Sequence, residues 1–188
     1  MAMNALQLSF YRGVNGKFGA MQLNFRKPHY YCTVPKCKGK VFDTPFPPLR
    51  CPLSSCDGQK MESREGALFM EITSAKGPND YDWDKKITMA FSITDLSKLL
   101  LVLEGHQPEV EIMHDPHAKS VNSGKITKIF KLFSPKGLYI EKGGVLVSAI
   151  QSDKEGNKVL HTVPLGPEEV KRLAICLRAV IPLTLAWC

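Results

Sequence analysis

The first 42 residues contain no aspartate or glutamate; the first acid is Asp43. No run of 18 or more apolar residues occurs anywhere, which excludes an encoded transmembrane helix. The stretch that comes nearest, Leu96–Leu103, is interrupted by Ser97 and Lys98. The continuous apolar core of a secretory signal is also missing. Carboxylates clustered at metal-binding spacing and a nucleophile motif are both absent, which leaves a nuclease or other metalloenzyme without its chemistry. Disorder is excluded from the other side, because 44% of the residues are apolar, ordinary for a folded chain. A length of 188 residues supports one well-cored domain, or one domain with a small appendage.

What is present starts with charge. Lys and Arg number 25 against 18 acids, a formal net charge of +7. Arg12, Lys17, Arg26, Lys27, Lys36, Lys38 and Lys40 account for all of the excess, since residues 43–188 balance to zero. Tyr11, Phe18, Phe25, Tyr30 and Tyr31 lie among these cations. Such an asymmetry points to an anionic partner, nucleic acid or a membrane surface. Transit peptides are also basic and acid-poor, but here the pattern has period two. Leu6, Leu8 and Phe10 alternate with polar residues, as do Met21, Leu23 and Phe25, with Asn15-Gly16 placed as a turn. A β-hairpin is expected in place of a cleaved leader.

Four of the six cysteines, Cys32, Cys37, Cys51 and Cys56, form C-x4-C-x13-C-x4-C. Two short pairs separated by a loop suit one tetrahedral Zn²⁺, each pair holding the metal from one knuckle. The intervening residues are rich in proline (Pro35, Pro45, Pro47, Pro48, Pro52) and cannot build a core, so a staple is needed. Disulfides would serve the same end, but without a secretory signal zinc is favoured. Four thiolates close the coordination sphere, so the expected ion is structural. Cys176 lies on a helical apolar stripe and is expected to pack, and Cys188 is a tail thiol.

Downstream, Gly66–Ser74 and Lys86–Ser92 pattern as strands and Ile93–Leu103 as a helix, with a Ser92/Asp95 capping box and Gly105 as its stop. Glu109–Met113, Lys125–Phe133, Gly137–Ile150 and Lys158–Pro164 pattern as four more strands. Gly166-Pro167-Glu168-Glu169 opens a second helix with the stripe Val170, Leu173, Ala174, Leu177 and Ile181, closed by Pro182. The expected fold class is therefore α+β: two β-β-β-β-α repeats, antiparallel sheets packed on helices, with a small four-cysteine zinc insert. The chain divides as one domain over 1–188. Its parts are an amino-terminal hairpin (1–31), the zinc-knuckle insert (32–56), the rest of the first repeat (57–105) and the second repeat (106–188).

These residues resemble a known family. GALFMEI at 66–72, YDWDKK at 81–86, AFSITDLSKLL at 90–100, MHDP at 113–116, VPLGPEEV at 163–170 and IPLTLAW at 181–187 follow the order and spacing of the Whirly proteins. That fold is related to transcriptional coactivators with a β-β-β-β-α unit and to guide-RNA-binding proteins of mitochondrial RNA editing. The resemblance implies single-stranded nucleic-acid binding with little sequence preference on blade-like sheets, and a tetramer assembled through the helices. Lys38-Gly39-Lys40 matches the letters of a plant Whirly motif but falls inside the cysteine insert, so its role is not carried over. The insert itself is not expected of the plant proteins.

A strand binder needs cations along a groove with aromatic faces between them. The candidates are Tyr11, Arg12, Lys17, Arg26, Lys27, Tyr30 and Tyr31 in the amino-terminal part, and Trp83, Lys125, Lys128 and Lys131 further on. Trp83 admits two roles, stacking a base or anchoring its loop in the core. His114-Asp115-Pro116 suits a turn or subunit interface better than acid–base chemistry, because neighbours on a strand point to opposite faces. His106, His117 and His161 pattern as surface or turn residues.

The expected function is non-enzymatic, largely sequence-independent binding of single-stranded nucleic acid, DNA favoured, in replication, repair, recombination or transcription. The alternative is a zinc-containing protein-interaction or RNA-binding subunit of a transcription or ribonucleoprotein assembly. The expected compartment is intracellular and reducing, an organelle matrix or a bacterial or phage-host cytoplasm. A homo-oligomer and a replication or transcription protein are the expected protein partners.

Overall fold

The computed structural model describes residues 7–11, 18–26, 29–31, 41–42, 62–64, 66–115, 126–134 and 143–184. Two antiparallel sheets carry the fold. In the first, β1 (Gln7–Tyr11), β2 (Gly19–Arg26), β6 (Ala67–Gly77) and β8 (Ile87–Phe91) lie in the order β1-β2-β6-β8, and the short β7 (Asp80–Tyr81) pairs with the far end of β6. In the second, β9 (Glu109–His114), β10 (Ile126–Phe133), β11 (Val145–Asp153) and β12 (Lys158–Leu165) pair in sequence order. Helix α1 (Ile93–Leu103) follows the first sheet and α2 (Pro167–Thr184) the second. A third, three-stranded sheet, β4-β3-β5, comprises β3 (His29–Tyr31), β4 (Val41–Phe42) and β5 (Glu62–Arg64). Two β-β-β-β-α units thus form, as the patterning predicts.

The alternation read from the sequence sets which face is buried. Leu8 opposes Leu23 and Phe10 opposes Met21; Met21, Leu23 and Phe25 then oppose Ile72, Met70 and Leu68 on β6. These in turn meet Ile87, Met89 and Phe91 on β8. In the second sheet Ile112, Phe130, Ala149 and His161 share one row, and Leu132, Val147 and Val163 the next. The two inner faces form one core with the stripes of both helices. Phe91 and Phe130 meet across the sheets edge to face, ring centroids 5.0 Å apart, which adds about 0.5–1.5 kcal/mol beyond the area they bury.

Close approach is greatest at Gly19, where a Cβ would fall on the carbonyl oxygen of Thr73. Only glycine lets β2 begin there.

Helix α1 starts as the sequence indicates. The Asp95 N–H donates to Ser92 Oγ at 3.3 Å, and the Ser92 N–H donates to Asp95 Oδ2 at 3.0 Å. Gly105 sits at φ 78°, beyond the last turn, a conformation glycine tolerates. At α2 the Gly166 N–H donates to Glu169 Oε2 at 2.8 Å. This helix differs from expectation at its end, because Pro182 lies inside it and the helix runs to Thr184. The terminal turn finds other partners: Thr184 Oγ1 donates to the Ile181 carbonyl at 2.7 Å, and the Gly66 N–H donates to the Thr184 carbonyl at 3.3 Å. Proline removes a donor that the last turn can do without when side chain and strand supply others. Val180 and Thr184 replace Ala174 and Ile181 among its fully buried positions.

Candidate nucleic-acid interface

The residues opposite the core lie on the outer faces of the sheets. In the first sheet Ser9, Gln22, Glu71 and Thr88 make one row across β1, β2, β6 and β8, and Gln7, Asn24, Phe69 and Ala90 the next. This surface is polar with little free charge, since Glu71 Oε1 binds Lys86 Nζ at 2.8 Å. Arg26, at the end of β2, is exposed. At the opposite end of the hairpin ladder Tyr11 is 54% exposed, and its ring lies 5.4 Å from that of Tyr81, tilted by 50°.

Tyr81 belongs to the YDWDKK segment, which folds into a pinned turn. Pro78-Asn79 reverses the chain, with Asn79 at φ 58°, a left-handed conformation asparagine tolerates. Trp83–Lys85 then form one 3-10 turn. The Asp82 N–H donates to the Ser74 carbonyl at 3.0 Å, and its carboxylate lies 3.2 Å from Lys76 Nζ and 3.5 Å from Lys85 Nζ. Partial burial pushes the Asp82 carboxyl up, but hydrogen bonds and charge from Lys76 and Lys85 outweigh it and hold it below the usual range. Trp83 is half-buried, leaving part of the indole presented to solvent.

On the second sheet the outer face differs. Met113, Ile129, Ile150 and Leu160 line up across all four strands, with Met113 63% and Leu160 57% exposed. Beside this aliphatic row runs Glu111, Lys131, Ser148 and Thr162. Lys131 Nζ is ion-paired with Glu111, and the hydrogen bond from that carboxylate raises its pKa. Lys128 shares the inner-face parity, opposite His114 and Gln151. Its Nζ donates to the Thr88 carbonyl on β8 at 2.8 Å, and burial lowers its pKa. The lysines of β10 therefore divide between the two faces and do not make one cationic strip.

His114 Nε2 is 3.4 Å from Asp95 Oδ2, and its ring centroid is 6.0 Å from Phe91. Ser92 Oγ also donates to Asp95 Oδ2, at 2.7 Å. The carboxylate thus stands between serine and histidine. Proton relay to a nucleophile requires the histidine in the middle, so this group caps a helix and positions an imidazole.

Of the other sequence candidates, Tyr30 pairs with Phe42 and Ser63, and Tyr31 with Val41 and Glu62, on the three-stranded sheet. Arg12, Lys17, Lys27 and Lys125, with Cys32, Cys37, Cys51 and Cys56, lie outside the described residues. Cys176 is half-buried, and burial pushes its thiol pKa up, as expected of a packing residue.

His161 is a departure from the sequence expectation: it is 4% exposed, not on the surface. Its Nε2 lies 2.8 Å from the Lys85 carbonyl and its Nδ1 2.7 Å from Ser74 Oγ. A carbonyl only accepts, so Nε2 carries the proton and Nδ1 accepts from the serine in the neutral ring. The histidine ties β12 to β6 and to the Trp83–Lys85 turn. The signal for this was present, because His161 shares period-two parity with Val163 and Leu165.

Two back-to-back β-β-β-β-α units with outer faces uncovered by their own helices define the class of fold. The chain belongs to the Whirly family: the model described as Whirly transcription factor matches residues 44–173. It is 27% identical over 158 residues to the chloroplastic single-stranded DNA-binding protein WHY1 of Solanum tuberosum, covering 80% of this chain and 53% of that protein. It is 34% identical over 91 residues to the mitochondrial single-stranded DNA-binding protein WHY2 of Arabidopsis thaliana, covering 48% of this chain and 37% of that one. The chain thus spans about half or less of the length of these relatives. The crystal structure of WHY1 from Arabidopsis thaliana superposes with a TM-score of 0.72 at 21% identity, covering 100% of this chain and 89% of that chain. This likeness establishes the fold.

Proposed function

We propose that this protein binds single-stranded DNA through its sheet surfaces, with little sequence preference and without catalysing a reaction. The observation that carries this is the outer face of the first sheet, polar and uncovered, ending in the exposed Tyr11 beside Tyr81. Every base has a face for such rings to stack on, so the preference for sequence is weak. The acid-free start of the chain supplies phosphate contacts next to these rings. The names of the relatives, single-stranded DNA-binding proteins, point the same way. Their chloroplastic and mitochondrial designations favour an organelle for this chain, and a homo-oligomer built through the helices fits the family resemblance. Roles in replication, repair, recombination or transcription are all compatible with this activity. The test is fluorescence anisotropy with a mixed 30-nucleotide strand and its duplex across a salt series. Tighter strand binding that weakens steeply with salt is expected; duplex binding of equal strength overturns the proposal.

We propose also that Cys32, Cys37, Cys51 and Cys56 hold one structural Zn²⁺. Supporting it, β3 pairs antiparallel with both β4 and β5. The first cysteine pair lies between β3 and β4 and the second between β4 and β5, one pair on each connection. Native mass spectrometry should find one zinc per chain, and none after replacement of Cys32 and Cys37 by serine. A protein-docking role has one observation in its favour, the aliphatic row Met113, Ile129, Ile150 and Leu160, which offers a partner no charge. Removing the cysteine segment separates the readings: strand binding survives it under the first, and a protein partner is lost under the second.

A further inference from the structure

Where the open edge of β8 faces β9 and β10, the two sheets leave a groove of about 380 Å³, at the low end of the volumes small-molecule sites occupy. Phe69 and Ala90, from the outer face of the first sheet, and Met113, 63% exposed on the second, give it an apolar lining. Thr88, His114 and Lys128 supply its polar groups.

Two observations mark it as more than a crevice. Lys128 is half-buried and its charge is disfavoured there. Among the described residues its Nζ has a backbone carbonyl as partner and no carboxylate within ion-pair distance. A lysine ammonium has three donors, so two remain for an anion. Asp115 also lines the groove but already has an interaction partner. In addition, a large apolar side chain, Met113, is held in solvent beside that cation. Thioether side chains adapt to flat, polarisable ligands.

We infer that this groove is a nucleotide subsite, in which one base of a bound strand lies on Met113 and Phe69 and its phosphate meets the Lys128 ammonium. The inference rests on the strand-binding reading above and assigns it a location within one protomer, between its two sheets. Thr88 and His114 flank the position of the base and offer hydrogen-bonding groups to its edge. Lys128 also covers the free edge of β8, a structural service that lysine performs on many sheet edges. The two roles separate by experiment, because an edge cover contributes to stability and a phosphate contact to affinity.

The test uses the whole protein, a 30-nucleotide oligothymidylate and an abasic strand of the same length. Lys128→Met keeps the stem and removes the charge, and Met113→Ser removes the exposed lining without touching the core. Lys128→Met should lower affinity for both strands about 3- to 10-fold and reduce the salt slope by about 0.7, the loss of one phosphate contact. Met113→Ser should lower affinity for oligothymidylate about 5- to 10-fold and leave the abasic strand unaffected, as a lost base contact does. A strand carrying 5-iododeoxyuridine should cross-link to peptides containing Phe69 or Met113. If the wild-type protein binds no strand, the strand-binding reading itself fails. If it binds, but both variants match it and the cross-links fall elsewhere, only the groove assignment is overturned. If Lys128→Met unfolds, Met113→Ser and the cross-link decide alone.

Discussion

His161 offers the sharpest test of how the two sheets are held together. Replacing it with alanine removes a ring that is 4% exposed and strands two partners, the Lys85 carbonyl and the Ser74 hydroxyl. The hydroxyl can turn to another acceptor, whereas the carbonyl loses its donor at a cost of about 1–3 kcal/mol. The cavity adds about 1–2 kcal/mol for a side chain of this size. The expected loss is about 3 kcal/mol. With a urea dependence of about 2 kcal/mol per molar, the denaturation midpoint should fall by about 1.5 M. His161→Leu fills most of the space without the hydrogen bonds and should lose about 1–3 kcal/mol. His161→Gln, whose amide can donate to Lys85 and accept from Ser74, should recover part of the loss. A leucine variant as stable as wild type, within about 0.5 kcal/mol, refutes the reasoning, because the hydrogen bonds across the sheets would then contribute nothing.

Three further outcomes follow from the geometry. Gly19→Ala should destabilise by about 2 kcal/mol or more, since its Cβ meets the Thr73 carbonyl and the β2–β6 ladder must shift; an unchanged midpoint in urea counts against the contact. Ser92→Ala removes the cap of α1 and should cost about 0.5–2 kcal/mol in the same assay, while Ser97→Ala, on the exposed side of that helix, should cost far less. Asp153 accepts from the Asn157 side chain at 2.8 Å and from the N–H groups of Asn157 and Glu155, which hold its carboxyl below the usual range. Its contribution is therefore present above the unfolded value, about 3.9, and lost as pH falls through the lower folded value. Midpoints from pH 2 to 6 should show Asp153→Asn less stable than wild type at pH 6 and converging with it in acid; a gap independent of pH would contradict the assignment.

The repeat was legible because alternation and helical spacing report burial directly. Leu8, Phe10, Met21 and Leu23 give their face away by parity alone, and Ser92 with Asp95 marks the start of α1. Pairing partners are not written in such patterns. The outward row Met113, Ile129, Ile150 and Leu160 has the same local character as a buried row, and only register across four strands shows that it is one surface. Lys128 and Lys131 look alike in sequence, yet three residues apart on a strand they point to opposite faces and meet different partners. His161 was missed because its bonds come from residues 87 and 76 positions away. Tyr81 became interesting only when the turn at Pro78-Asn79 carried it back to Tyr11.

Arg26 and Ala67 are direct cross-strand partners, although 40 residues lie between them. The whole cysteine-bearing excursion therefore leaves and re-enters the first sheet at neighbouring points, in place of a tight turn. Closing a loop of that length costs about 3 kcal/mol of chain entropy, nearly all of it avoidable with a two-residue turn. An ancestor without the segment, or one that gained it later, would keep the same ladder on either side. The excursion is thus a cassette that can be exchanged without rewriting the scaffold, and its retention has to be repaid by order within the segment or by what it binds.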